Sequence, residues 1–266
     1  LTEPFADDHI TVNTTEHYRV GLFVTCLADL FRPSVGFASI ALLEQAGCQV
    51  TVPMNQSCCG QPAYNSGDYV AAAKTAQNVI ASFEFADYVV LPSGSCTGMM
   101  VHHYPRILEG EWRERALALS AKTFELTTFL AEIACPVANE TLPSMPLTVT
   151  YHDGCAGLRE LNIRDQPRQL LKNMCGIEIK ELEKAEVCCG FGGTFCAKMP
   201  ALSGKMVDDK LANACASGAQ VLAGGDLGCL LNIAGRARRQ GIDIEVRHVA
   251  ELLAGDLDEP GIGDAQ

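Results

Sequence analysis

The sequence predicts an α/β protein made of two duplicated Rossmann-like halves, each a parallel sheet flanked by helices with cysteine-bearing loops at its strand C-terminal ends. Three observations predict it. Short apolar, β-branched runs alternate with stretches of helical apolar spacing. The second half repeats the landmarks of the first. The cysteines recur just after the strand-like runs, at the edge where open α/β sheets bind ligands.

In chain order, the β-rich run Tyr18–Thr25 precedes a helix over Val35–Ala46, a strand at Gln49–Pro53, a loop with a double cysteine, a helix over Asp68–Phe83 and a strand at Tyr88–Leu91. The second half follows with strand Leu147–Tyr151, helix Pro167–Met174, strand Ile177–Leu182, a second double-cysteine loop, helix Ser203–Ala216, strand Gln220–Ala223 and helix Leu230–Arg239. Each half is expected to close on a helix, FELTTFLAEI at 124–133 and RHVAELLA at 247–254. Strands alternating with helices imply parallel sheets covered on both faces. The expected organisation is a disordered tail at 1–17, a first domain at 18–138, a linker at 139–146 with two prolines, a second domain at 147–254 and a disordered tail at 255–266.

Self-similarity supports a duplication. QSCCGQPAYNSG at 56–67 is matched by EVCCGFGGTFCA at 186–197. RVGLFVTC ends at Cys26 and LTVTYHDGC at Cys155, while YVVLPSGSC ends at Cys96 and QVLAGGDLGC at Cys229. The four corresponding cysteines are separated by 129, 130, 130 and 133 residues.

With 48% hydrophobic and 20% charged residues, the 266-residue chain can bury a core, and a formal net charge of -12 excludes nucleic acid and disfavours anionic membrane surfaces. The apolar runs are too short to span a bilayer, and residues 1–17 lack the basic and apolar regions of a secretory signal, so a cytoplasmic protein is expected. Thirteen cysteines, an odd number with two adjacent pairs, fit metal ligation in a reducing compartment better than a disulfide framework.

The adjacent pairs Cys58–Cys59 and Cys188–Cys189 are the most diagnostic feature. Neighbouring Cα atoms lie about 3.8 Å apart, and in an extended chain their side chains diverge. A single tetrahedral ion takes both with difficulty, and zinc sites favour a wider spacing. A polynuclear iron–sulfur centre offers separate irons to neighbouring thiolates. Gly60 and Gly190, one after each pair, permit a positive φ that turns amide N–H groups toward sulfur. The candidate ligands are therefore Cys26, Cys58, Cys59, Cys96, Cys155, Cys188, Cys189 and Cys229. Cys48, Cys135, Cys175 and Cys215 read as small buried hydrophobes, and Cys196 stands between the two classes. His152 is a candidate extra ligand or hydrogen-bond donor to sulfur, with a structural role at a strand end as the alternative. His102 and His103 read as surface residues, and Arg236, Arg238 and Arg239 as favourable charges at a helix C-terminus. GFGG at 190–193 does not match a dinucleotide fingerprint, and neither a P-loop nor a G-x-S-x-G elbow occurs.

The twice-repeated pattern C…CCG…C resembles the cysteine-rich (CCG) domain family, which includes the thiol–disulfide redox component of heterodisulfide reductase and the iron–sulfur subunits of glycolate- and glycerol-3-phosphate-oxidising enzymes. LFVTCLADLF (22–31), CCGQPAYNSG (58–67), VVLPSGSC (89–96), CCGFGGTF (188–195) and GCLLNIAGR (228–236) are similar to its lactate-utilisation branch, over about residues 18–254. That resemblance implies an electron-transfer subunit of a three-protein complex oxidising L-lactate to pyruvate, alongside a ferredoxin-like iron–sulfur protein and a third subunit. It implies one or two [4Fe–4S] clusters, on Cys26, Cys58, Cys59 and Cys96 and on Cys155, Cys188, Cys189 and Cys229. The family pattern ends in CxxC, and here Ser93 and Asp226 hold the first slot. Cubane and noncubane clusters both remain open, as does zinc in one half. Either residue is a candidate oxygen ligand, with hydrogen-bonding or turn roles as the alternative. A thiol–disulfide redox subunit and a zinc-stabilised assembly scaffold are the competing readings.

Overall fold

The computed structural model describes residues 18–134 and 146–264. The first half runs β1 (Arg19–Leu22), α1 (Cys26–Phe31), α2 (Pro33–Gln45), β2 (Gln49–Thr51), α3 (Gln61–Asn65), α4 (Tyr69–Phe83), β3 (Tyr88–Leu91) and α5 (Gly94–Gly98). A π-helical turn at Met99–His103 leads into α6 (Tyr104–Ile107), followed by α7 (Gly110–Ser120), β4 (Thr123–Glu125) and α8 (Leu126–Phe129). The second half runs β5 (Leu147–His152), α9 (Cys155–Glu160), α10 (Asp165–Lys172), β6 (Ile177–Ile179), α11 (Phe195–Lys198), α12 (Pro200–Ala216), β7 (Val221–Gly224), α13 (Leu227–Gln240), β8 (Glu245–His248) and α14 (Val249–Ala254).

Each half holds one parallel sheet, in the orders β2-β1-β3-β4 and β6-β5-β7-β8. Strands covered on both faces need continuous rather than alternating apolarity, and β7 (VLAG) is buried at every position while β1 (RVGL) is buried at all but its first. In register, Val20 faces Val50 and Tyr88, and Val149 faces Ile179 and Val221. The two sheets thus repeat each other strand for strand, as the duplicated cysteine landmarks require.

Local chemistry sets the helix ends. Pro33 stands in the first turn of α2, where its missing N–H costs nothing. The Asp68 carboxylate accepts from the Ala71 amide to start α4, and Gly241 ends α13 in the left-handed conformation. The fourth strand of each sheet lies inside, or just before, what the sequence presents as a closing helix. β4 and β8 have three and four residues and pass into α8 and α14 without an intervening turn. So short a run leaves no period-two signature beside the helical spacing that follows. Glu125 and His248, the last residues of these strands, cap the helices themselves, through the Thr127 and Thr128 amides and the Ala250 amide respectively.

One hydrophobic core crosses between the halves, joining Val20, Leu22 and Leu43 to Val149, Leu222 and Leu252. A second cluster, with Phe23, Phe83, Met100 and Tyr104, lies wholly in the first half. Each fully buried Val, Leu or Phe contributes about 1.5–3 kcal/mol relative to exposure. The packing is reciprocal: α2 lies on α14 while α8 lies on α10, and α5 meets α9 while α1 meets α13. The duplicated halves are therefore related by an approximate two-fold, and each seals the other's core. Arg32 donates to Glu251 across this contact at 2.6 Å, both side chains being almost fully buried.

Residues 255–264, expected to be disordered, are packed: Ile262 is buried and its amide donates to the Val246 carbonyl, while Arg32 and Arg247 bond the carbonyls of Pro260 and Glu259. The apolar Ile262 and two buried guanidiniums in need of acceptors hold this stretch down. Residues 1–17 and all but Pro146 of the expected linker lie outside the described residues, as does Cys135. Among the described residues, no helix is long and apolar enough to cross a membrane.

Candidate metal centres

All eight repeated cysteines fall in loops or first helical turns at the C-terminal ends of strands, and they gather into two sets of four. In the first half Cys26 begins α1 directly after β1, Cys58 and Cys59 lie in the loop after β2, and Cys96 sits in the first turn of α5 after β3. The thiols form one hydrogen-bonded chain, Cys26 to Cys58, Cys58 to Cys59 and Cys59 to Cys96. The second half repeats it: Cys155 begins α9, Cys188 and Cys189 follow β6, Cys229 lies in the first turn of α13, and contact runs from Cys155 through Cys188 and Cys189 to Cys229. No disulfide joins the described cysteines.

Electrostatics single out one thiol in each set. Cys58 accepts from Cys26, from Cys59 and from the Gly60 amide, which holds it far below the ordinary thiol range as a thiolate. Cys188 is lowered in the same way by Cys155, Cys189 and the Gly190 amide. The donors move the opposite way: Cys26 and Cys155 are raised by bonding their thiolate neighbour and by burial. The two glycines have φ of +84° and +85°, and their amides reach Cys58 Sγ at 3.5 Å and Cys188 Sγ at 3.4 Å. The Phe191 amide adds a bond to Cys189 Sγ at 3.5 Å.

Two supports carry no signal in the sequence. The Tyr104 hydroxyl donates to the Cys59 carbonyl at 2.8 Å, and the Asn232 amide donates to the Cys189 carbonyl at 2.9 Å. Equivalent backbone groups are thus held by different residue types on different helices, so the duplication does not expose them.

His152 closes the back of the second set. It is 1% exposed, and neither ring nitrogen has a hydrogen-bond partner among the described residues. A ring nitrogen and the sulfurs of Cys189 and Cys229 lie within 4.8 Å of one another. Burial, reinforced by nearby Lys210, pushes its pKa down to about 3 and keeps the ring neutral.

Ser93 and Asp226 are committed to packing. The Ser93 hydroxyl caps α5 by accepting from the Cys96 amide at 3.3 Å. The Asp226 carboxylate leaves its own helix and crosses to the first half, accepting from the Ser95 amide at 3.0 Å and the Ser93 hydroxyl at 3.3 Å. Both side chains thus make hydrogen bonds at this contact. Cys196 stands apart in α11, donating to the Gly193 carbonyl at 3.6 Å. Cys48 is buried as expected, but Cys175 and Cys215 are exposed, because one follows the end of α10 and the other lies on the outer face of α12. His102 and His103, expected on the surface, are half-buried and bond Glu160 of the other half, through its carbonyl at 2.8 Å and its carboxylate at 3.2 Å.

Between the two sets lies a small cavity lined by Gly94, Glu125, Tyr151, Asp153, Gly157 and Asp226. Burial raises Glu125 to about 7. Asp153 is neutralised by a two-pronged bond from Arg168 at 2.8 and 2.9 Å. The cavity wall thus holds three carboxyl groups, one of them paired with a guanidinium.

The donor set fits a polynuclear thiolate-bound centre in each half: four converging thiols, amide N–H groups aimed at sulfur, and, in the second, an orphaned buried imidazole. The cysteine-rich domain of the CCG family matches the chain twice, over residues 20–101 and 149–234. The chain belongs to the cysteine-rich (CCG) domain family. Within that family it is 48% identical to lactate utilization protein A of Exiguobacterium sp. over 88% of this chain and 96% of the relative. It is 47% identical to that of Geobacillus sp. over 88% and 98%, and 43% identical to lactate utilization protein A 2 of Bacillus cereus over 91% and 100%. The two matched stretches hold the two cysteine sets, one in each, so the family's repeat and the structural repeat coincide.

Proposed function

We propose that the chain is the iron–sulfur electron-transfer subunit of a complex that oxidises L-lactate to pyruvate. The observation that carries this reading is the pair of four-thiol sets, each continuous by hydrogen bonding and each at the ligand-binding edge of a parallel sheet. Cys26, Cys58, Cys59 and Cys96 would hold one [4Fe–4S] centre, and Cys155, Cys188, Cys189 and Cys229 the other. Such a centre supplies one-electron oxidation and reduction without bonding to the organic substrate. The protein's part is to fix the thiolates, aim the Gly60, Gly190 and Phe191 amides at sulfur, and bury Cys59, Cys96, Cys189 and Cys229 away from water. The relatives' name supports lactate as the substrate of the system.

The test is anaerobic purification with iron, sulfide and EPR measurement. Two [4Fe–4S] centres correspond to about eight irons per chain. Replacing Cys58 or Cys188 by Ser halves the iron, whereas Asp226→Asn leaves it unchanged because that carboxylate bridges the halves. Fewer than about two irons per chain after reconstitution, too few for even one such centre, overturns the proposal.

A further inference from the structure

The two cysteine sets match thiol for thiol, but their surroundings do not. The residue three before Cys155 is His152, and the residue three before Cys26 is Phe23. Both end up fully buried behind their sets. Phe23 belongs to the apolar cluster that holds Cys59 and Cys96, with its ring 5.7 Å from that of Phe83. A hydrocarbon wall therefore backs the first set at the position where an imidazole backs the second.

A buried imidazole offers one N–H and one lone pair. Leaving a buried donor or acceptor unpaired is unfavourable, and neither nitrogen of His152 has a partner among the described residues. Folded proteins keep such a group where an ion or centre completes it. The geometry points one way, since a nitrogen of His152 lies within 4.8 Å of two of the sulfurs, those of Cys189 and Cys229. A second polar group adds to the asymmetry. Lys210 is 1% exposed, is held by the carbonyls of Lys184 and Ala185 at 3.0 Å, and interacts electrostatically with Cys188 and Cys189.

We propose that His152 is a nitrogen ligand of the second centre with no counterpart in the first, and that Lys210 makes the second centre the more readily reduced of the two. The inference rests on the iron–sulfur reading above. Its physical basis is that the buried Lys210 ammonium beside Cys188 and Cys189 stabilises the added electron, whereas an apolar wall backs the first set. An electron shared between the sites then moves from the first, which is oxidised, to the second, which is reduced, with no further reactant.

The test uses the full chain with its clusters, grown with ordinary or ¹⁵N-labelled histidine and titrated with reductant under pulsed EPR. The expected result is a nitrogen coupling of directly bound size on the signal that appears first, changed by the label. His152→Phe removes that coupling, and Lys210→Met lowers the midpoint of that signal alone, by at least a tenfold change in its equilibrium constant, about 59 mV for one electron. Phe23→His gives the other signal a coupling it lacks. Identical labelled and unlabelled wild-type spectra, on protein with iron and sulfide for two centres, overturn the inference and leave the iron–sulfur reading standing. That comparison needs no variant to fold. A coupling on the signal that appears last overturns the ordering of the sites, and failure to take up iron overturns both proposals.

Discussion

Replacing Arg32 by Met tests whether the two halves stand or fall as one unit. Arg32 leaves the first half at the start of α2 and donates to Glu251 of α14 at 2.6 Å, with side-chain exposures of 6% and 1%. Glu251 also accepts from the Ser34 hydroxyl at 2.6 Å and the His248 amide at 3.1 Å, and both bonds survive the substitution. Removing one partner of a buried ion pair costs about 3–5 kcal/mol, because the other charge stays buried and uncompensated. Part of that is returned: Arg32 Nη2 has no partner among the described residues, and the methionine does away with it. A net loss of about 3 kcal/mol follows. For a chain of this size that lowers the melting temperature by about 6–12 °C. Arg32→Met with Glu251→Gln should recover most of the loss, since no charge is then left alone and the amide can still bond the His248 N–H and the Ser34 hydroxyl. The assay is denaturant and thermal unfolding followed by far-UV circular dichroism and by the fluorescence of Trp112, the chain's one tryptophan, which lies in the first half. The two probes should coincide in the wild type. A loss below about 1 kcal/mol in the single variant, or a double variant as unstable as the single, would refute the assigned role of this pair.

Two further substitutions probe the site and its surroundings. Gly190→Ala should destabilise more than Gly60→Ala: both positions have positive φ, costing about 1–2 kcal/mol, but a Cβ at Gly190 would lie 2.7 Å from the Ser203 carbonyl oxygen, whereas at Gly60 the nearest atoms are at 3.4 Å on the Thr75 side chain. The added overpacking is worth about 1–3 kcal/mol, and unfolding midpoints together with iron content should show Gly190→Ala emptying the second site first. Glu125, raised by burial from 4.5 to about 7, binds its proton more tightly folded than unfolded, so it costs stability increasingly as pH rises from about 4.5 to 7, levelling off near 3 kcal/mol above that. Glu125→Gln should therefore gain stability over the wild type at pH 8 relative to pH 5 in urea titrations, and parallel pH curves for the two proteins would count against a neutral buried carboxyl.

The α/β alternation, the duplication and the eight thiols are legible in the sequence because each rests on a local pattern. Buried parallel strands are continuous apolar runs, and the double cysteine with its glycine has a conformation encoded in three residues. Features whose partner lies far along the chain are not legible. β4 and β8 stay hidden because three or four residues ahead of a helix make no period of their own. Cys175 and Cys215 read as core residues because apolar neighbours do not say which side of a helix end faces water. His102 and His103 are half-buried only because Glu160, nearly 60 residues on, comes across from the other half. Tyr104 and Asn232 hold equivalent carbonyls, yet nothing in their own segments marks them.

The same distance effect governs Ser93 and Asp226, whose partners also lie across the contact between the halves. These positions fall where the halves approach most closely: a Cβ on Gly94 of α5 would lie 2.9 Å from the Gly157 Cα of α9. Backbones that close leave the side chain at the start of α5 or α13 within reach of the opposite loop. Asp226 bonds across that gap. Its carboxylate grips the Ser95 amide and the Ser93 hydroxyl, while Ser93 in turn accepts from the Cys96 amide. The loop that positions Cys229 is therefore tied through two side chains to the loop that positions Cys96. The two cysteine sets are thus joined by side chains at the very contact where the halves meet.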